Sequence, residues 1–145
     1  MNSRFKQILV PVDLTPKNTV ALNIAFETAQ ENRATVTLLH VTEAIESHEG
    51  EQDEELREFT EKLSLQARAK LEFMSRRFSE GGVSVKTDVK IGRPLEEIIR
   101  YCADEKIDLI VMSSHPATVG EMVRDLGTLS YKVSVACSCP ILLVK

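Results

Sequence analysis

What is scarce in this sequence narrows its reading before any motif does. Its 145 residues include three cysteines, Cys102, Cys137 and Cys139. An odd count without framework spacing excludes a disulfide-stapled secreted scaffold and points to a reducing, cytoplasmic setting. Cys137-x-Cys139 supplies two soft ligands with no partner set, and its spacing is not that of a C-x-x-C redox pair. The end of a helix and the start of a strand explain it better. His40 has no second His or Cys at metal-like spacing, so no metal site is expected there. No apolar run approaches the ~20 residues a membrane helix needs. The N-terminal MNSRFKQILVPVDLT is broken by Pro11 and Asp13, too short and interrupted for a signal peptide. Basic residues are not in excess: 18 Lys and Arg stand against 22 Asp and Glu, scattered among one another, for a net charge of −4. That excludes a nucleic-acid backbone as the main partner. Also missing are a G-x-S-x-G elbow, a Walker lysine and paired metal carboxylates, which weighs against hydrolytic chemistry.

What is present is an ordinary globular composition, 43% hydrophobic and 28% charged. The length suits one domain, residues 1–145, and a chain of this size buries roughly 70% of its unfolded surface. Lys6–Val12 (KQILVPV) is apolar on both faces, as a central parallel strand requires, and Pro11 ends its ladder. Asp13 follows at the strand's carboxyl end, where open α/β sheets place ligands, although a turn or cap role suits it equally well. Thr15-Pro16 opens a helix expected to run to Asn32, with Val20, Ile24 and Ala25 at helical spacing. Ala34–Val41 is a second strand, in which His40 is expected to pack rather than to bind.

The stretch 42–55 is rich in carboxylates and contains no Lys or Arg. It reads as a solvated connection into a long amphipathic helix. Leu56, Phe59, Leu63, Ala67, Leu71, Met74 and Phe78 form one apolar stripe on that helix, and Gly81-Gly82 stops it. Val83–Lys90 alternates like an edge strand. Pro94 opens a third helix whose buried face is Leu95, Ile98, Ile99 and Cys102. Leu109–Met112 is a fourth strand, followed by a polar loop, a Gly127-Thr128 pair opening a last helix to Ala136, and a final strand Ile141–Val144. Strict β/α alternation implies parallel pairing with right-handed crossovers. The two most apolar strands, the first and fourth, belong at the centre. The expected fold is therefore an open parallel five-stranded α/β sheet, strand order 3-2-1-4-5, with helices on both faces. Its switch point brings Asp13, Val41 and the loop after Met112 to one crevice.

Five segments in register now carry a resemblance: ILVPVD (8–13), LLHV (38–41), GRPLEEII (92–99), DLIVMSSH (108–115) and GTLSYKV with CPILLV (127–133, 139–144). Along its whole length the chain resembles the universal stress protein family. The resemblance implies a Rossmann-like sheet of the adenine nucleotide alpha hydrolase-like kind, homodimerisation, and in some members ATP or AMP. The family's adenosine-side positions correspond to Pro11, Val12, Asp13, Val41 and Met112. Its phosphate loop, G-x2-G-x9-G-[ST], falls on Ser113, Pro116, Gly127 and Thr128. Ser restricts the close approach that Gly allows, and Pro116 has no N–H to give a phosphate. The last spacing, Ala117–Leu126, is one residue longer.

Three functions follow as expectations. The first is a non-enzymatic, dimeric stress-response module with a degenerate adenine-nucleotide pocket and no certain cofactor. The second is a switch regulated by ATP or AMP through the loop at 113–126. The third, least supported, is a phosphate-ester hydrolase using Asp13 or His115. The last strand leaves an exposed apolar edge, so the expected partner is a second copy through Pro140–Val144; other protein partners are unknown.

Overall fold

Gln7–Pro11 (β1) is apolar on both faces because it is the central strand of a five-stranded sheet that helices cover on both sides. The computed structural model describes residues 4–43, 54–114 and 128–145. After β1 come a 3-10 turn (Pro16–Asn18), α1 (Thr19–Asn32), β2 (Thr35–Glu43), α2 (Glu54–Glu80), β3 (Ser84–Gly92), α3 (Pro94–Asp104), β4 (Leu109–Ser113), α4 (Leu129–Ala136) and β5 (Ile141–Val144). The sheet order is β3-β2-β1-β4-β5, every pair parallel, as the alternation of elements predicts. Pro11 cannot donate to the ladder, and the pairing resumes one residue later with the Val12 amide on the Leu39 carbonyl at 2.8 Å.

The pleat divides the core in two. Ile8, Val10, Val36, Leu38, Leu109 and Val111 face α1 and α2, where Ala21, Ala25, Ala29, Ala67, Leu71 and Phe78 meet them. Leu9, Leu39, Ile110 and Met112 face the opposite layer, with Ile98 and Tyr101 of α3 and Val133 of α4. Helices thus cover both faces. Burying each large aliphatic side chain contributes about 1.5–3 kcal/mol, and that sum fixes the register. On α3's side, burial pushes the Tyr101 phenol up to about 12, helped by the carboxylates of Asp88 and Glu105.

Three local expectations need correction. The α-helix begins at Thr19, because Pro16–Asn18 is a 3-10 turn. Within the α-helix, alanines 21, 25 and 29, four apart and small enough for close approach to the sheet, take the buried face, and Val20 is left 51% exposed. The long apolar stripe of α2 is buried only in its later turns. Phe59 remains half exposed and Leu63 is 36% exposed, while Ser64 is buried. Leu63 instead borders an open cleft. β2 runs to Glu43, two residues beyond the expected Val41, and β3 pairs with it along its whole length, so β3 extends past Lys90 to Gly92.

The expected stop at Gly81-Gly82 holds. Gly82 has φ of 77°, and a Cβ at Gly81 would lie 2.4 Å from the Phe26 ring. Among the described residues no helix is long and apolar enough to cross a membrane.

Candidate functional site

The strand order reverses between β1 and β4, and there, at the carboxyl ends of β1, β2 and β4, a cleft of about 1220 Å³ opens. Pro11, Val12, Asp13, Val41, Met112, Ser113 and Thr128 all line it. Pro116 and Gly127, also expected in the site, lie outside the described residues, as do His115 and the acidic stretch 44–53. Seven of the nine expected positions are therefore brought together by the fold.

Asp13 is exposed, and its carboxylate is oriented by its own turn. Oδ1 accepts from the Thr15 amide at 2.9 Å and from Thr15 Oγ1 at 2.6 Å. Leu14 takes a positive φ of 68° to make that turn. Oδ2 has no hydrogen-bond partner among the described residues and is open to accept from a ligand hydroxyl. Asp13 is thus a turn residue and a cleft residue at once. Val12 and Met112 are buried beneath it, and Val41 is partly buried, which makes an apolar surface beside an oriented acceptor. His40 lines the cleft too, but its Nδ1 is engaged with the Val12 carbonyl at 2.9 Å. No group of three metal-ligating side chains occurs among the described residues.

Asn18 is the residue that sequence reasoning missed. It is only 3% exposed. Its Oδ1 accepts from the Asp13 amide at 3.0 Å, and its Nδ2 donates to Ser113 Oγ at 3.2 Å. Ser113 in turn donates to the Lys17 carbonyl at 3.3 Å. One buried amide therefore holds the end of β1 to the end of β4. Its spacing of five from Asp13, across a Thr-Pro turn, is the only signal the sequence offers for it.

The Ser113 hydroxyl faces the β1–α1 connection, so this position, a glycine in the family loop, now serves as a strut. At the far side Thr128 caps α4 with its Oγ1 accepting from the Tyr131 amide at 3.4 Å, and the helix N-terminus faces the cleft. Also missed were Leu63, Gln66, Ala67 and Lys70 of α2, which wall the cleft, and Lys17 on the connection. Helical periodicity places α2 beside the sheet but does not say that its early turns overhang the sheet's carboxyl edge.

A family model described as the universal stress protein family matches residues 4–145. The chain belongs to the universal stress protein family. A universal stress protein of Methanocaldococcus jannaschii is 29% identical, over 100% of this chain and 98% of its own. The universal stress protein UspA of Lactobacillus plantarum superposes with a TM-score of 0.85 at 25% identity, covering 99% of this chain and 100% of that one. Two more distant universal stress protein structures are complexes. One holds cAMP (TM-score 0.72, 15% identity, 97% of each chain), and one from Archaeoglobus fulgidus holds dAMP (0.67, 17%, 97% and 98%). At those identities the likeness is one of fold.

Proposed function

We propose that this universal stress protein is a single domain over residues 1–145, a non-enzymatic, homodimeric, cytoplasmic module that holds an adenine nucleotide at the switch-point cleft. One observation carries the reading: Asp13, oriented by Thr15 and with no partner for Oδ2 among the described residues, stands beside Val12, Val41 and Met112. An apolar surface for a base next to an acceptor for a ribose hydroxyl is the adenosine half of a nucleotide site. The cAMP and dAMP complexes of distant relatives support an adenine mononucleotide as the ligand class.

The phosphate half is weaker. Pro116 offers no amide, and Ser113 is spent on Asn18 and Lys17. Thr128 with the start of α4, together with Lys17 and Lys70, supplies the remaining attraction for one phosphate. A non-enzymatic role fits the engagement of His40 Nδ1 by a backbone carbonyl and the lack of a nucleophile–base pair in the sequence. The cytoplasmic setting rests on the odd cysteine count.

The test is calorimetric titration of ligand-stripped protein with AMP and ATP. A saturable micromolar isotherm is expected for both, with affinities within about threefold of each other, since the second and third phosphates meet few donors. ATP binding a hundredfold tighter than AMP contradicts the weakened phosphate side, and no heat with either removes the nucleotide.

The homodimer is proposed through Pro140–Val144, antiparallel to the same strand of a second copy. The two sheet edges differ in kind. β3 carries Lys86, Asp88 and Lys90, charges that protect an edge, whereas Ile141–Val144 has none and exposes Leu142 and Leu143.

A further inference from the structure

The three cysteines, far apart in sequence, converge. Cys102 lies near the end of α3, Cys137 is the C-cap of α4, and Cys139 stands in the short connection into β5. All three are half-buried and pack against one apolar cluster with Ile98, Ile107 and Val133. Cys102 is close enough to Cys137 and Cys139 for their charges to be felt at its thiol. Packing alone asks only for small apolar side chains, which alanine or valine also supply. It does not ask for every thiol in the chain to border one apolar cluster, from two separate elements.

We propose that Cys102 and one of Cys137 and Cys139 form a reversible intrachain disulfide when the protein meets a peroxide. One thiolate of the 137–139 pair attacks a peroxide oxygen, breaking the O–O bond to give a sulfenic acid and, after protonation of the leaving oxygen, one water. The Cys102 sulfur then displaces the sulfenic oxygen as a second water, forming the S–S bond and losing its proton. Two electrons pass from the two sulfurs to the peroxide, and both thiol protons leave in water.

The order of events follows from the contacts. Burial raises all three thiols, Cys102 furthest because negative charge at Cys137 and Cys139 opposes its ionisation. The neighbouring Cys102 thiol partly offsets that rise at Cys137 and Cys139. The first step is slow at neutral pH and accelerates as pH rises toward these raised values. The second is faster because its partner thiol borders the same apolar cluster. The bridge ties α3 to the connection entering β5, next to the strand proposed as the dimer edge. It does not depend on a nucleotide binding.

The full-length chain, reduced and then treated with hydrogen peroxide at pH 8, is denatured, alkylated and weighed intact and after digestion. A loss of about 2 Da with one alkylated thiol in place of three is expected. A cross-linked peptide should contain Cys102 with Cys137 or Cys139, and dithiothreitol should reverse it. Cys102→Ser, and Cys102→Ala as a second variant, should abolish the link. Three thiols alkylated after oxidation, a link between two chains, or a Cys137–Cys139 bridge with Cys102 free each overturn the proposal.

Discussion

Leu142→Asp is expected to convert the proposed dimer entirely to monomer at micromolar concentration. Leu142 is 42% exposed and Leu143 38% exposed on a strand that is paired with β4 on one side only. An apolar edge of this kind is satisfied by a second copy of the same strand, and a two-fold axis repeats each contact of residue i with residue j as one of j with i. A single substitution then places two carboxylates in one short, desolvated interface. Like charges so placed cost about 3 kcal/mol or more, a hundredfold or greater loss in dimer affinity. Light scattering and analytical ultracentrifugation read this directly. Leu142 makes no part of the cleft, so nucleotide affinity per chain should change little. A dimer that survives Leu142→Asp and also Leu143→Asp puts the interface elsewhere.

Asn18→Ala is expected to cost about 2 kcal/mol of stability and to weaken nucleotide binding about tenfold. The carboxamide is buried, and deleting it leaves the Asp13 amide without its acceptor and Ser113 Oγ without its donor. A buried polar group stripped of its partner costs roughly 1–3 kcal/mol. The second effect comes through position. Asn18 fixes the backbone of Asp13 relative to β4, so its loss lets the carboxylate and the start of the loop drift apart. Denaturant midpoints measure the first effect and titration the second. Asn18→Asp separates them, since it keeps an acceptor for the Asp13 amide while losing the donor to Ser113. A variant destabilised as expected with unchanged affinity would leave Asn18 a structural residue only.

The sheet was legible because its information is local. Apolar segments such as ILVPV and LIVM, spaced by helices, admit few parallel orders, and the two most apolar ones occupy the centre. The carboxyl-end cleft follows from the strand order, which is why Asp13, Val41 and Met112 line it. The missed features depend on phase or on tertiary contact. Val20 faces outward because the alanines at 21, 25 and 29 form the face that packs on the sheet, and the 3.6-residue period does not say which of two adjacent stripes will do so. Asn18 looks like a surface residue of a helix start until Ser113, 95 positions away, meets its amide. Cys102 lies 35 residues from Cys137, so spacing rules built for neighbouring cysteines pass over the cluster.

The measurement that bears most directly on the central claim is amide chemical-shift mapping during an AMP titration of isotopically labelled protein. Saturable, one-to-one shifts confined to Val12, Asp13, Val41, Met112 and Thr128, and lost in Asp13→Ala, are the result expected of an adenosine site at the switch point. Shifts that saturate elsewhere on the molecule, or none at millimolar AMP, would contradict it.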